Sequence, residues 1–193
     1  MKTGLYFGSF NPIHIGHLII ANHVLNETSL DEVWFVVSPQ NPFKPSATLL
    51  NEYDRLYLVR KAVEADIRLK ASDVEFGLPK PSYTATTLAY LSDKHPNRNF
   101  SIIMGSDSFQ NLHKWHNYTA ITQHYPILVY NRPGFTVKDM AGAQVTVLDA
   151  PLLEISATHI RGLLQKGKSI RYLVPASIEA DLAENRFYKN FKK

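Results

Sequence analysis

The sequence predicts an α/β protein built on an open parallel sheet with helices on both faces. One observation behind this prediction is that short apolar segments alternate with segments of helical periodicity over most of the chain, which is typical of parallel strands joined by helices. A second is the run VWFVV at residues 33–37, which is apolar at every position, as in strands buried on both faces. We therefore expect a Rossmann-like sheet.

Five strands are expected from short apolar runs, at residues 5–7, 33–37, 100–104, 127–130 and 144–148. Five helices are expected from apolar residues that recur every three or four positions, at residues 13–25, 53–65, 83–91, 158–164 and 175–184. Proline marks the ends of elements, because Ser38-Pro39 stops the second strand and Pro96 follows the third helix.

The chain has an ordinary globular composition, with 45% hydrophobic and 20% charged residues among 193. We expect a single domain over residues 1–193, with its core at about residues 3–150 and a phosphate-binding helix and helical end at about residues 151–193. Cysteine is absent, which excludes a disulfide framework, thiolate catalysis and Cys-ligated metal sites.

Hydropathy and charge limit the compartment and the partners. No apolar run reaches the roughly 18 residues that a membrane span needs, and the segment before Gly8 is too short for a signal-peptide core. We therefore expect a cytoplasmic protein without a membrane partner. The net charge of +4 permits an anionic small molecule or a nucleic acid and does not choose between them.

Ligands of parallel sheets bind beyond the carboxyl ends of the strands, so the loop GSFNPIHIGH at residues 8–17 is the first candidate site. Gly8 is expected to take a positive φ at a tight turn, and the following helix N-terminus presents N–H groups to an anion. His14 and His17 are three residues apart and share one face of that helix. Gly16 between them leaves room for a ligand to approach the backbone.

The histidine pair is not specific by itself, because two histidines at this spacing are more often surface or capping residues. As a metal site, the pair lacks an obvious third ligand nearby. Its position directly after a strand and a Gly-Ser-Phe-Asn-Pro loop is what favours an anion site.

A second candidate site lies in ISATHIR at residues 155–161. Ser156 fits a helix N-cap, and Arg161 lies about one turn inside, so its guanidinium can reach back to the helix N-terminus. Hydroxyls, N–H groups and an arginine together suit phosphate oxygens. Taken alone, such a segment is more often a capped helix with a solvated arginine.

Four further segments lie between these two elements: PSYTATTL at 81–88, GSDS at 105–108, LHKWH at 112–116 and RPG at 132–134. Together with the His-x-Gly-His block and ISATHIR, they resemble the motifs of the nicotinate/nicotinamide mononucleotide adenylyltransferases, in that family's order. This family belongs to the nucleotidyltransferase superfamily. The resemblance runs from residue 4 to about residue 185.

The resemblance implies that ATP and nicotinate or nicotinamide mononucleotide react to a dinucleotide and pyrophosphate, in NAD biosynthesis. It implies catalytic roles for His14, His17, Lys44 and Arg161. The residues expected to bind ATP are Gly8, Ser9, Phe10, His17, Gly105, Asp107, Ser156, Thr158 and Arg161. The residues expected to bind the mononucleotide are Lys44, Tyr83, Thr84, Thr87, Trp115 and Arg132, with the tryptophan stacked on the pyridine ring.

The residue set suits this reaction. The second pKa of a phosphate monoester is about 6, so the mononucleotide phosphate is largely ionised at neutral pH and needs no general base. Catalysis then depends on positioning and on charge stabilisation, to which imidazoles, cationic side chains and helix N-termini contribute. Mg²⁺ is expected to be held mainly by ATP phosphates and water, with no protein metal site.

Three alternatives stay open. Another adenylyl- or cytidylyltransferase of this fold, such as a phosphopantetheine adenylyltransferase, would share the first and last motifs but is not expected to carry residues 83–88 or Trp115. A class I aminoacyl-tRNA synthetase has a similar first motif, yet the chain lacks a Lys-Met-Ser-Lys-Ser loop and the added domains. A non-catalytic α/β module could bind a nucleotide or RNA, although no aromatic-basic RNA-binding signature appears, and we expect no nucleic-acid partner.

Two positions depart from the family pattern. Phe7 stands where a glycine is frequent, and Asn11 stands where many members carry aspartate. Both concern the geometry of the first loop and remove no side chain with an expected chemical role. The sequence leaves open the choice between nicotinate and nicotinamide mononucleotide, and it permits a homo-oligomer.

Overall fold

The computed structural model describes residues 1–40, 49–137, 142–151, 154–184 and 187–188. In these residues one six-stranded sheet has the order β3-β2-β1-β4-β5-β6. Its strands are β1 (Lys2–Gly8), β2 (Glu32–Val37), β3 (Leu69–Ser72), β4 (Asn99–Gly105), β5 (Ile127–Tyr130) and β6 (Val145–Leu148). Every neighbouring pair runs parallel, so all the carboxyl ends lie along one edge.

Helices connect the strands and complete the domain. They are α1 (Ile15–Glu27), α2 (Glu52–Val63), α3 (Thr84–Lys94), α4 (Ser106–Gln110), α5 (Tyr118–His124), α6 (Ala157–Gln165) and α7 (Ala176–Glu184). Short 3₁₀ helices occupy Val74–Gly77 and Leu112–Lys114. Within the described ranges, no helix combines the length and the apolar character that crossing a membrane requires.

The two faces of the sheet are covered by different helices. Tyr6 packs on the face that carries α1, α2, α6 and α7, whereas Leu5 packs on the face that carries α3, α4 and α5, because successive strand side chains point to opposite faces. Ile160 of α6 and Ile178 of α7 are fully buried in the same core as Tyr6. The C-terminal helices therefore belong to one domain with the sheet.

The order of the strands creates a crevice between β1 and β4. The chain leaves β1 toward α1 on one face of the sheet and leaves β4 toward α4 on the other face. Parallel sheets bind ligands where neighbouring strands depart in opposite directions, outside their carboxyl ends.

The structure confirms the predicted fold class and contains all the predicted strands. The sequence does not predict β3, in which Leu69 alone is buried. This strand lies at the sheet edge and pairs only with β2, so it carries no continuous apolar run. The short helices α4 and α5 are also missed, because five and seven residues are too few to display a helical period.

Candidate active site

Two adjoining cavities occupy the crevice. The first has a volume of about 560 Å³ and is lined by Tyr83, Trp115 and Phe135 among others; we name it the aromatic cavity. The second has a volume of about 480 Å³ and contains His14 and His17; we name it the histidine cavity. Four residues line both, namely Phe7, Gly8, Asp107 and Ser108. The cavities are therefore parts of one cleft with a shared wall at the ends of β1 and β4.

The N-terminus of α1 fixes the orientation of His17. Its ring stacks on that of His14, with centroids 3.7 Å apart and an angle of 27° between the rings. The backbone N–H of His14 donates to Nδ1 of His17 at 3.2 Å, so the neutral His17 ring carries its proton on Nε2. Tyr6 and Phe10 make edge contacts to the same ring, at centroid distances of 5.9 and 5.1 Å. His17 is thus held in a fixed orientation where it lines the histidine cavity.

His14 is the more buried member of the pair. Its exposed fraction is 5%, and Nδ1 has no hydrogen-bond partner in the described part of the chain. Burial, assisted by the nearby charge of Arg132, lowers the pKa of the His14 imidazole to about 4. The ring is therefore neutral at physiological pH and serves as the surface on which His17 stacks.

The backbone of the first loop differs from the expectation at two glycines. The positive φ lies at Phe10, with a value of 44°, and not at Gly8. A Cβ at Gly8 would stand 2.8 Å from the Phe10 ring, so the loop needs glycine there for close approach. At Gly16 a Cβ would stand 3.1 Å from Nδ1 of His14. The space expected to admit a ligand beside Gly16 is thus filled by the His14 ring.

A buried arginine holds the loops that follow β1 and β2. Arg55 of α2 is fully buried, and its guanidinium donates to four backbone carbonyls, those of Leu50, Ser9, Ser38 and Pro39. The contacts to Ser9 and Ser38 measure 2.7 and 2.8 Å. The carbonyl of Ser9 therefore points away from the cleft, toward the guanidinium.

Asn11 joins the first loop to the C-terminal part of the chain. Its Oδ1 accepts the N–H of Leu50 at 3.1 Å and the hydroxyl of Tyr188 at 2.8 Å. Its backbone carbonyl accepts Nη1 of Arg161 at 2.7 Å. The asparagine that departs from the family pattern thus serves as a double acceptor, and Arg161 is held directly against the first loop.

The N-terminus of α6 opens into the histidine cavity. Ser156 is the predicted N-cap, and its Oγ accepts the N–H of His159 at 3.2 Å. Oγ1 of Thr158 accepts Nη2 of Arg161 at 3.2 Å, and all three side chains that were expected to bind ATP here line the cavity. N–H groups, hydroxyls and a guanidinium therefore converge on one stretch of wall, which is a set that binds phosphate oxygens.

Arg132 lies in a different part of the cleft from the one expected. It lines the histidine cavity and not the aromatic cavity, because its guanidinium packs on the ring of Tyr130 at 5.5 Å. Its Nε stands 3.9 Å from Oδ1 of Asp107. The structure thus places Arg132 beside the residues expected to bind ATP, and its expected contact with the mononucleotide stays a prediction.

Asp107 belongs to the wall that both cavities share, and its side chain is 41% exposed. A Cβ at Gly105 would collide with the Asp107 carboxylate, so glycine at this position lets the carboxylate fold back over the end of β4. Gly105 itself lines neither cavity, and its expected contact with ATP stays a prediction.

The aromatic cavity brings together three of the residues expected to bind the mononucleotide, Tyr83, Thr84 and Trp115. Tyr83 is the N-cap of α3, and its ring lies 4.7 Å from that of His116. Trp115 follows the 3₁₀ helix Leu112–Lys114 and is half-buried. An indole in this setting presents a flat apolar surface to the cavity.

Thr87 has a different position from the one expected. It is 1% exposed and lines neither cavity. Its hydroxyl donates to Oε1 of Glu75 at 2.9 Å, so it supports a residue that does line the aromatic cavity. Sequence reasoning missed Glu75; its one signal is a carboxylate between two apolar residues, in the segment Val74-Glu75-Phe76.

Two expectations remain, one for Lys44 and one for protein ligands to a metal. Lys44, expected to be catalytic and to bind the mononucleotide, lies outside the described residues. In the described ranges, no group of three or more His, Asp or Glu side chains has the arrangement of a metal site.

The sheet order and the cleft at its β1–β4 crevice define a nucleotide-binding α/β protein. The chain matches the cytidylyltransferase-like family over residues 5–163. It is 50% identical to a probable nicotinate-nucleotide adenylyltransferase of Cytophaga hutchinsonii, over 99% of this chain and 100% of the relative. It is 46% identical to the protein of the same name from Flavobacterium johnsoniae, over 98% and 100%. The chain belongs to the nicotinate-nucleotide adenylyltransferase family, and it is an enzyme of the nucleotidyltransferase class.

Solved structures share the fold at much lower sequence identity. The nicotinic acid mononucleotide adenylyltransferase of Plasmodium falciparum, complexed with NaAD, superposes with a TM-score of 0.81 at 20% identity, over 99% of both chains. A second structure of that protein, complexed with APC, gives a TM-score of 0.80 at 19% identity, also over 99% of both chains. These likenesses confirm the Rossmann-like architecture over nearly the whole chain.

Proposed function

We propose that this enzyme transfers the adenylyl group of ATP to nicotinate mononucleotide, giving the dinucleotide and pyrophosphate. The observation that carries the proposal is the pair of cavities with a shared wall, one suited to phosphate and the other to an aromatic ring. The names of the relatives and the NaAD in the Plasmodium structure support the choice of substrate. A phosphopantetheine adenylyltransferase or a non-catalytic module is not favoured.

ATP occupies the histidine cavity in this proposal. Its phosphates lie between Nε2–H of His17 and the N-terminus of α6, where Arg161 and the hydroxyls of Ser156 and Thr158 line the wall. The positive end of the helix dipole and the guanidinium both stabilise negative charge at this place. Arg132 supplies a further positive charge on the same side of the cleft.

The mononucleotide occupies the aromatic cavity. Its pyridine ring stacks on Trp115 near the N-terminus of α3, where Tyr83 and Thr84 line the wall. Its phosphate points to the shared wall beside Gly8 and Asp107. We propose that Lys44, outside the described residues, pairs with this phosphate, as the family resemblance implies.

The reaction is an in-line displacement at the α-phosphorus of ATP. A phosphate oxygen of the mononucleotide forms the new P–O bond, the bond from the α-phosphorus to the bridging oxygen breaks, and pyrophosphate leaves with that oxygen and the electron pair. The attacking phosphate is already ionised, so no side chain removes a proton. His17 and Arg161 act by holding charge on the departing oxygens, which is worth several kcal/mol in a preorganised site (roughly 3–4 kcal/mol for one donor).

Apart from the Asp107 carboxylate, the polar side chains that line the histidine cavity carry hydroxyls, an amide, imidazoles and guanidinium groups, which fits a nucleotide whose metal is ligated by phosphate oxygens and water. We propose Mg²⁺ in that role; bound to the ATP phosphates, it would supply positive charge that offsets the charge of the leaving pyrophosphate.

The proposal is tested by following pyrophosphate release from ATP with nicotinate mononucleotide, nicotinamide mononucleotide and phosphopantetheine as separate acceptors. We expect release with the first and little or none with phosphopantetheine. Release only with phosphopantetheine, or with none of the three, would overturn the proposed function. The His17→Ala variant, assayed beside it, reports whether the release comes from this cleft.

A further inference from the structure

Two buried tyrosines share a hydrogen bond beside His17, and the proposed reaction gives neither hydroxyl a task. Tyr6 of β1 and Tyr130 of β5 are 5% and 6% exposed, and their hydroxyl oxygens are 2.9 Å apart. Both residues line the histidine cavity. The ring of Tyr6 lies 5.9 Å from the ring of His17, so the hydroxyl pair belongs to the part of the cleft in which the histidine acts.

The two hydroxyls carry one proton more than their mutual hydrogen bond uses. Each phenol has a single O–H to donate, and both are protonated at neutral pH because the pKa of a tyrosine is about 10. In either direction of the bond, one O–H donates to the other oxygen, and the second oxygen still has a proton to donate. Arg132 cannot accept it, since its Nη2, 3.4 Å from the Tyr130 hydroxyl, is itself a donor.

The described residues around the pair do not accept the remaining proton. Among them, the two hydroxyls make only the bond that they share and the contact with Arg132. Nδ1 of His14 has no hydrogen-bond partner in that part of the chain, and Nδ1 of His17 accepts the backbone N–H of His14. A buried donor without an acceptor costs free energy, which indicates that a molecule bound in the histidine cavity supplies the acceptor.

We propose that the hydroxyl pair of Tyr6 and Tyr130 binds ATP by donating its remaining O–H to a phosphate oxygen. Tyr6 contacts the ring of His17, and the guanidinium of Arg132 packs 5.5 Å from the ring of Tyr130, so the pair is flanked by groups that attract an anion. An O–H bond to an ionised oxygen is also stronger than one to a neutral acceptor. The inference rests on the proposed function, which puts the ATP phosphates in this cavity, and deepens it by naming two further binding residues.

The test uses the double variant Tyr6→Phe/Tyr130→Phe, which removes both hydroxyls and keeps both rings. We expect the Kd for ATP, measured by calorimetric titration, to rise about tenfold or more, because a hydrogen bond to a charged group is lost. The KM for the mononucleotide should stay unchanged, since neither tyrosine lines the aromatic cavity. The melting temperature without ATP should not fall, because replacing both partners of a buried hydrogen bond by apolar groups is nearly neutral. A purely structural pair would show the reverse, a lower melting temperature and an unchanged Kd.

The matched control is Ser92→Ala/Tyr125→Phe. It removes another pair of hydroxyls that are 2.9 Å apart, and neither residue lines the histidine cavity or the aromatic cavity. This variant should bind ATP like the wild type. The single variants Tyr6→Phe and Tyr130→Phe show which hydroxyl faces the phosphate, because the variant that lacks it should have most of the loss.

An unchanged Kd for ATP in the double variant would overturn the inference, since the hydroxyls would then serve only each other or a water molecule. If the double variant does not fold, an unchanged Kd in both single variants has the same meaning. Equal weakening of adenosine binding would place the O–H on the nucleoside and would also overturn it. All three outcomes leave the proposed function intact while the wild type releases pyrophosphate. A wild type that neither binds ATP nor releases pyrophosphate would overturn both.

Discussion

The imidazole rings of His14 and His17 lie stacked 3.7 Å apart, and the backbone N–H of one residue orients the ring of the other. The family resemblance implies catalytic roles for both histidines, yet their surroundings differ. His14 is 5% exposed and neutral, whereas His17 is half-buried, with its Nδ1 held by the N–H of His14. We therefore expect replacement of His17 and replacement of His14 to have different effects, the first on turnover and the second on the pH dependence of stability.

Replacement of His17 by alanine is expected to lower kcat by about 100-fold or more, because it removes one preorganised donor to the charge that develops on the leaving group. The fold is expected to persist, since the ring is only half-buried. Pyrophosphate release measures kcat, and circular dichroism checks the fold. His159→Ala in α6 removes an exposed ring and should retain nearly full turnover. A His17→Ala enzyme with turnover near that of the wild type would contradict the assigned role.

Replacement of His14 is expected to change the pH dependence of stability. The folded pKa of about 4 lies below the unfolded value of 6.5, so the unfolded chain binds more protons between these values and stability falls as the pH drops through this window. From pH 7 to pH 5 the loss amounts to about 2 kcal/mol. In His14→Phe, which keeps a flat ring, urea unfolding at the two pH values should show a decrease smaller by that amount. Equal decreases in both proteins would refute the buried neutral state.

Replacement of Trp115 by alanine is expected to raise the KM for the mononucleotide roughly tenfold, because stacking on an aromatic side chain contributes about 1–3 kcal/mol. The KM for ATP should change little, since Trp115 lines only the aromatic cavity. Trp34→Phe is the matched control, because Trp34 lies in β2 and bonds to Glu32 at the far end of that strand. An equal rise in both Michaelis constants would count against stacking.

Replacement of Arg55 by lysine is expected to lower the free energy of unfolding by about 2–4 kcal/mol, because one ammonium group cannot reach four buried carbonyls and each unsatisfied group is costly. Denaturant unfolding measures the change. Arg60→Lys in the same helix alters an ion pair in which both side chains are more than half exposed, and it should change stability by less than about 0.5 kcal/mol. Similar losses of unfolding free energy in the two variants would show that the contacts of Arg55 with the four buried carbonyls contribute little to stability.

Replacement of Tyr188 by phenylalanine is expected to raise the KM for ATP about fivefold, because the loss of one hydrogen bond, worth roughly 1 kcal/mol, loosens Asn11 and the Arg161 contact. Burial raises the pKa of the Tyr188 hydroxyl, so the hydroxyl stays protonated and donates at any pH used for the assay. Tyr172→Phe changes a side chain that is 82% exposed and serves as the control. Fully additive effects on the KM for ATP in the double variant Asn11→Ala/Tyr188→Phe would be inconsistent with this coupling.

The sequence predicts most of the sheet because strands buried on both faces carry continuous apolar runs, as β2 does. It also predicts which segments meet, since ligand loops follow the carboxyl ends of parallel strands. His17 and Ser156 are found from local patterns, whereas Trp115 is found from the family resemblance. Each belongs to a loop or helix end whose function follows from its place in the topology.

Other residues in or around the cleft cannot be predicted from local sequence patterns. Arg55 and Tyr188 act through contacts that span 46 and 177 residues of sequence, and neither lies in a motif. Glu75 is recognised only when its buried carboxyl group is seen to line a cavity. The sequence also does not predict that Thr87 lies outside both cavities or that Arg132 lines the histidine cavity, because a helix or strand position does not reveal on which side of a cavity wall a side chain lies.

The contacts of Asn11 with Arg161 and Tyr188 also have a consequence for biosynthesis. The first loop emerges early during translation, yet its partners follow 150 and 177 residues later. A chain that has completed the sheet still lacks the guanidinium of Arg161, which lines the histidine cavity, and the phenol of Tyr188, which donates to Asn11. The histidine cavity therefore gains the part of its wall that Arg161 forms only after every strand of the sheet has been made.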